Sequence, residues 1–368
     1  MKIKPFQLYC LLVVCSAPVA YLEISRYMNS LLAHNGWLAV LAAILPCFIF
    51  MLLLIQITRK SPQPFPLLLE DYLGTWLGRV VGCSYILVFI MITAIDLRFF
   101  VDFIETHVVS GTPLSVLVGV LLLVGLFALK SGFNALIRSF ELVVLIGLPF
   151  VFIILILALP QDMHISNLLP IGSMMRIDHF MLAVLLMTAI FARSMPVLTF
   201  AYFSDDPGKI GSTFTASLAS YWLLMLLATL ITTLTLGAFS AELYAFPTFI
   251  MVTMINIGRF FQNIDILFIS IWILGIYASI SFFWFMSLYT CQQVFRLSDY
   301  RYLAAPSSLI IGVLAMQIAD NILQLFQTRL FFVMVVYGGF FILIPSILFI
   351  ISLFKPSMPE AILSAKAE

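Results

Sequence analysis

Ten stretches of about 20 predominantly apolar residues recur along the chain, at about 6–28, 36–57, 80–104, 113–129, 140–159, 180–203, 213–238, 266–291, 305–326 and 331–354. That length matches the roughly 30 Å hydrocarbon core of a bilayer, crossed by a helix rising about 1.5 Å per residue. In lipid every backbone polar group must be satisfied internally, so a chain built this way folds as a helix bundle. With 63% hydrophobic and 10% charged residues and a mean hydropathy of +1.15, the composition excludes a soluble domain. The expected class is all-α integral membrane, with ten transmembrane helices in the lipid bilayer.

The 18 Lys and Arg residues test that count. Lys2, Lys4, Arg59, Lys60, Arg79, Lys130, Arg138, Lys209, Arg296, Arg301, Lys355 and Lys366 fall on one side of the ten spans. Arg26, Arg176, Arg259 and Arg329 fall on the other, and Arg98 and Arg193 lie within spans. The asymmetry predicts a multi-pass protein with both termini cytoplasmic. Lys2 and Lys4 precede an apolar run as in a signal peptide, but the run lacks a small-residue cleavage site and meets Glu23 and Arg26, which predicts an uncleaved first span.

Two spans carry the same disturbance. Phe191 to Phe200 places Arg193 and Pro196 inside an apolar segment, and Cys15-Ser16-Ala17-Pro18-Val19-Ala20 places Pro18 at comparable depth in the first span. Proline has no N–H and clashes with the preceding turn, so each opens the helix ladder and frees backbone groups at membrane depth. Breaks in spans 1 and 6 divide the ten into two halves, about 6–159 and about 180–354. Because five is odd, the second half enters from the opposite face, giving a 5+5 inverted repeat of the kind secondary transporters use around a midplane site. The loops are short. The longest cytoplasmic connection, Thr58 to Arg79, holds Pro62, Pro64, Pro66 and an amphipathic Leu67 to Leu77. Phe246 to Ile257 is too short to span and is expected to lie at the outer surface, and residues 355–368 to form a short disordered cytoplasmic tail.

Ionisable groups within spans usually face protein or water. Arg193 suits either a bidentate grip on a substrate carboxylate or an ion pair with a carboxylate on a neighbouring helix, Glu23 or Asp96 being the candidates. Glu23 and Arg26 are three residues apart, and the expectation is that they neutralise each other. Asp96, Arg98 and Asp102 fall in the outer part of the third span, where a wet vestibule or a coupling site would explain them. In the eighth span Ser270, Trp272, Tyr277, Ser279 and Ser281 offer hydroxyls and aromatic faces, which serve helix packing as readily as a ligand.

Other classes find little support. A net charge of +1 without a basic cluster excludes nucleic-acid binding. Cys10, Cys15, Cys47, Cys83 and Cys291 lie in apolar segments and form no ligand set, and His34, His107, His164 and His179 match no metal spacing. No catalytic motif is present, so neither an enzyme nor a cofactor is expected.

The landmarks, in order, are Asn35-Gly36-Trp37 opening the second span, and Pro66-Leu67-Leu68-Leu69-Glu70-Asp71-Tyr72-Leu73-Gly74 followed by Gly78 and Gly82. Then come Arg98 with Thr112-Pro113, Gly132 with Arg138, Asn167-Leu168-Leu169-Pro170, Phe246-Pro247, and Ile257-Gly258-Arg259-Phe260 with Trp272. This series resembles the spore germination permease family, the B subunits of nutrient-germinant receptors, within the amino acid–polyamine–organocation superfamily. The resemblance implies a leucine-transporter-like fold with broken helices 1 and 6, residence in the inner membrane of a bacterial endospore, assembly with germinant receptor A and C subunits, and sensing of a small nutrient such as an amino acid. It departs from the family pattern at both breaks. Relatives usually carry glycines where this chain has Ser16 to Ala20, and many carry a glycine and an acidic residue where it has Ala192-Arg193-Ser194-Met195.

The ligand-binding candidates are thus Ser16, Ala17, Pro18, Val19 and Ala20 at the first break, Ala192, Arg193, Ser194, Met195 and Pro196 at the second, and Trp272 and Tyr277 on the eighth span. Glu23, Asp96 and Arg98 are candidates for ion pairing or coupling. A proton-coupled amino acid permease and a structural receptor subunit without a ligand are the rival functions.

Overall fold

The computed structural model describes residues 2–60, 63–159, 163–173, 175–255 and 264–354. The expectations for Ile257 to Phe260 and for the 355–368 tail lie outside the described residues. The described chain is helical, and its one β-bridge joins Ile3 to Ser204. Seven helical stretches are long and apolar enough to cross a membrane: Ile24–Lys60, Thr75–His107, Phe133–Ala158, Ile177–Ala201, Pro207–Leu236, Ile264–Phe295 and Ile322–Phe354. Pro5–Ala20 and Leu114–Lys130 are shorter apolar helices.

The first span is α1 (Pro5–Ala20) and α2 (Ile24–Leu32), separated by a turn. The helix runs through Pro18, and the break falls at 21–23, one turn later than the proline suggested. There Glu23 N–H closes back onto Ala20 at 3.2 Å. The carbonyl of Pro18 is taken by the indole N–H of Trp272 at 2.9 Å.

After α2 the chain doubles back through Ala33, at φ 49°, into α3 (Gly36–Ala42) and α4 (Ile44–Lys60). The hairpin is so tight that a Cβ on Gly36 would sit 2.8 Å from the Met28 backbone, which is why glycine stands there. Asn35 then clasps the loop carrying Leu169-Pro170, donating to Ser173 O at 3.1 Å and accepting from Gly172 N at 2.8 Å.

Helix α5 (Phe65–Leu73) packs on the start of α6 (Thr75–His107), where Gly78 meets the Glu70 backbone. Next come α7 (Leu114–Lys130), α8 (Phe133–Ala158) and α9 (Ile177–Ala192). The sixth span breaks where expected, in a 3-10 turn at Met195–Val197 before the short α10 (Leu198–Ala201). Pro196 has no N–H to offer Ala192, and the chain closes instead through Ser194 N to Phe191 O at 3.0 Å and Val197 N to Ser194 O at 3.1 Å. Ile3 ties the exit of this span to the entry of the first, donating to Phe203 O at 2.8 Å and accepting from Asp205 N at 3.0 Å.

The chain continues through α11 (Ile210–Leu236), α12 (Ala238–Leu243) and α13 (Pro247–Thr253). The described part of the expected surface helix proves to be packed inward. Phe246, Phe249, Met251 and Val252 are buried, and Phe103 meets Phe246 and Phe249 at 4.9 and 5.1 Å between ring centroids. Aromatic edge-to-face packing holds it over the C-terminal end of α6.

After α14 (Ile264–Phe295) and α15 (Ala304–Gln317), the final boundary corrects the sequence reading. The last loop is not at 327–330. The final helix starts at α16 (Ile322–Phe331), where Asn321 accepts from Gln324 N at 2.9 Å and Gln324 reaches back to Asp320 N at 2.8 Å, a reciprocal cap. It widens into a π-helical stretch, Phe332–Leu343, before α17 (Ile344–Phe354). Arg329, expected in an outer loop, is therefore inside the bundle and 5% exposed.

Candidate functional site

Four charged side chains meet at the breaks. Arg193, at the C-terminal end of α9, donates Nη1 to Asp96 Oδ1 at 3.2 Å and Nη2 to Asp96 Oδ2, a two-pronged pair with α6. Its Nε donates to the carbonyl of Cys15 on α1 at 2.6 Å, its Nη1 also to the Tyr337 hydroxyl at 2.9 Å, and its Nη2 to Ser279 Oγ at 3.1 Å. The guanidinium lies 4.4 Å from the ring centre of Phe283, one helical turn beyond Ser279 on α14. On the other side of Asp96, Arg329 pairs through Nη2 with Glu23 at the first break, and its Nη1 is 3.6 Å from Asp96 Oδ1. Arg329 is stacked 4.1 Å from the ring centre of Phe99, on the same face of α6 as Asp96.

The side chains of Glu23, Asp96, Arg193 and Arg329 are each 6% exposed or less, so their four formal charges must balance locally. They do, two against two. Arginine suits this place because its planar fork makes several directed bonds while its face rests on an aromatic ring. The site thus links both broken spans to α6, α14 and the final helix through one guanidinium.

A family model described as "Spore germination protein" matches residues 2–324. The chain belongs to the spore germination protein family. Among curated members, spore germination protein KB of Bacillus subtilis (strain 168) is 25% identical over 349 residues, covering 90% of each chain. Spore germination protein YndE of the same organism is 23% identical over 138 residues, 37% of this chain and 38% of that protein. The fold is that of Mhp1, a nucleobase-cation-symport-1 family transporter. Its closed conformation with bromovinylhydantoin bound superposes with a TM-score of 0.67 at 16% identity, covering 92% of this chain and 77% of that one. Its inward-facing conformation gives 0.52 at 13% identity, covering 92% and 76%. The leucine-transporter-like expectation for this family member is met, as is its multi-pass membrane character. Family and fold are those of germination proteins and transporters rather than of enzymes.

The candidate ligand residues of this spore germination protein fall into three groups. Ser16, Ala17, Pro18, Val19 and Ala20 are buried in the last turns of α1, just before the first break, and Ala192, Arg193, Ser194, Met195 and Pro196 are buried at the second. Ser16 returns its hydroxyl to Leu12 O at 3.0 Å, and Ser194 Oγ has no hydrogen-bond partner among the described residues. Trp272 reaches the first break, whereas Tyr277 is half-buried and stands roughly 200° round α14 from Ser279. Beside the first break lies a small apolar crevice of about 40 Å³, bounded by Val14, Ala17, Pro18, Val144, Gly147 and Gly275 among others.

Of the ion-pairing candidates, Asp96 and Glu23 join the cluster and Arg98 does not. Arg98 pairs with Asp102 at 2.9 Å and reaches the carbonyls of Ala315 and Met316 at 3.5 and 3.3 Å, near the C-terminal end of α15. Both side chains border an outer concavity with Glu105 and Asp320; Asp96 does not. The expected Glu23–Arg26 pair is not formed. The Glu23 carboxylate turns instead to Arg329 and accepts from the Tyr27 hydroxyl at 3.4 Å, one turn along α2, while Arg26 lies over Phe326 at 4.2 Å.

Arg329, Tyr337 and Phe283 escaped the sequence reading. Charge parity could have found the first. Two buried acids beside one buried arginine leave a net negative charge in the core, which calls for a second cation.

Proposed function

We propose that this protein is the membrane subunit of a spore nutrient-germinant receptor, resident in the inner membrane of a bacterial endospore with both termini cytoplasmic. It binds a small nutrient, an amino acid, between broken spans 1 and 6, and passes the change to A and C subunits. The single observation that carries this reading is the position of Arg193, whose guanidinium joins α1 at Cys15 to Asp96, Ser279 and Tyr337. A ligand carboxylate competing for that guanidinium would loosen four helices together and shift a two-state equilibrium. Ser16 to Ala20, Ala192 to Pro196, Trp272 and Tyr277 are the proposed walls. Family membership and the closeness of the fold to a ligand-bound transporter support the reading.

The test is Arg193→Ala in spores, with the abundance of the variant checked by immunoblot. The expected result is loss of the germinant response or a displaced concentration dependence; an unchanged response at normal abundance refutes the role. The transporter fold favours one alternative, a permease coupled to protons through Asp96 or Glu23. Accumulation of labelled amino acid in proteoliposomes, driven by a proton gradient, would establish it. The filled state of the break favours a structural subunit without a ligand, for which no nutrient would shift thermal unfolding.

A further inference from the structure

Arg329 is nearly as buried as Arg193, yet its Nε and Nη1 have no hydrogen-bond partner among the described residues. Unpartnered buried donors are rare, and a charged one is rarer still. Here Nη1 stands 3.6 Å from Asp96 Oδ1, the oxygen that already accepts from Arg193 at 3.2 Å. Asp96 therefore has a second cation already in ion-pair range but not yet in a directed hydrogen bond.

We propose that Arg329 is the reserve partner of Asp96, so that a ligand binds by exchange: its carboxylate takes the Nη1 and Nη2 edge of Arg193, and Asp96 passes to Arg329. The proposal rests on the ligand-site reading above and narrows its ligand class. Without Arg329, releasing Arg193 would strand Asp96 as an uncompensated buried charge, which is strongly unfavourable. With it, Asp96 needs to close only the gap between 3.6 Å and hydrogen-bond distance.

Charge balance sets the rest of the specificity. The cluster is neutral as it stands, so a bare anion would leave it negative and a bare amine would leave it positive. A small zwitterion enters without changing the sum. Its ammonium finds acceptors that Arg193 gives up on turning away, the Cys15 carbonyl and Ser279 Oγ, and the face of Phe283. The ligand class is an α-amino acid with its carboxylate free, and a carboxamide, which cannot accept two charged donors, is rejected.

The test uses the full-length purified protein in detergent, titrated with the neutral proteinogenic amino acids and with the carboxamide of each, and read by thermal shift and calorimetry. At least one acid binds, and its carboxamide binds about a hundredfold more weakly, as expected when a buried donor pair loses its acceptor. The charge-balanced double variant Glu23→Gln/Arg329→Gln binds that acid about tenfold or more weakly, because Asp96 has nowhere to go. Asp96→Asn removes the competitor, so the same acid binds about tenfold or more tightly and propionate now binds too. In the Asp96→Asn background the Glu23/Arg329 change has no further effect.

If the carboxamide binds as well as the acid, or if Glu23→Gln/Arg329→Gln binds like the parent, the exchange is overturned while the receptor reading stands. If the double variant does not fold, Asp96→Asn decides, and unchanged or weaker binding there overturns the exchange. If no amino acid binds the parent protein, the ligand-site reading itself falls and the exchange falls with it.

Discussion

The indole N–H of Trp272 meets the carbonyl of Pro18 at 2.9 Å, so α14 closes the backbone gap where α1 ends. The ring is held from α6 as well, stacked on Phe100 at 5.8 Å and tilted against Phe103 at 4.3 Å. Trp272→Phe keeps most of that aromatic contact and strands a buried carbonyl. The expected loss is about 1–3 kcal/mol of stability, the cost of leaving such a group unsatisfied. Thermal unfolding in detergent measures it, and a melting temperature equal to the parent's would show that the bond contributes nothing.

A second carbonyl is orphaned by a proline in the π register. In the π register of Phe332–Leu343, Ile344 N donates to Gly339 O, so the donor due to Phe340 O is the nitrogen of Pro345, which carries no hydrogen. The Tyr85 hydroxyl, on fully buried α6 surface, fills the place. Tyr85→Phe should destabilise by about 1–3 kcal/mol. Adding Pro345→Ala supplies the missing N–H, so the double variant should melt above Tyr85→Phe; a double variant that melts lower sinks this account of the π stretch.

Gly36 is fixed by space. A methyl there would lie 2.8 to 2.9 Å from the backbone and Cβ of Met28, and backbone cannot swing aside as a long side chain can. Gly36→Ala should cost about 1–3 kcal/mol or more by overpacking. Gly119 on α7 has nothing within 4 Å, so Gly119→Ala should be neutral or slightly stabilising, since alanine is the better helix former. Equal effects at the two sites would contradict the geometry.

What the sequence disclosed divides along physical lines. Hydropathy and the rarity of charge in lipid made the helical membrane class legible, and the combination of Arg193 and Pro196 located the sixth-span break to within a residue or two. Asp96 as a counter-ion was also within reach, because a buried cation needs an anion. The partner of Glu23 was not. Sequence proximity favoured Arg26, but Glu23 turns to Tyr27 and to Arg329 on the final helix, and the face a residue presents beside a break is a tertiary property. Arg329 was misplaced because Gln327-Thr328-Arg329 reads as a polar loop. The local signal of Asp320-Asn321 with Gln324 marked the true helix start at Ile322, shortly after α15 ends at Gln317, and it outweighs hydropathy there. The π stretch left no mark in periodicity, since Gly338-Gly339 and Pro345 acquire meaning only beside Tyr85.

The charge cluster predicts a strongly non-additive pair. Arg193→Met leaves Asp96 with the more distant Arg329, and Asp96→Leu leaves the Arg193 guanidinium facing two hydroxyls, a carbonyl and two rings. Each single variant should lose about 3–5 kcal/mol, the range for breaking a buried pair by removing one partner. The double variant removes both charges and restores local neutrality between Glu23 and Arg329. Its loss should be smaller than the sum of the singles by about 2 kcal/mol or more, within the range of coupling for contacting residues. Denaturation of the four proteins closes the cycle. Additive losses would mean that Arg193 is held by its bonds to Cys15, Ser279 and Tyr337 and not by Asp96, and the ion pair would then not be what keeps the two broken spans together.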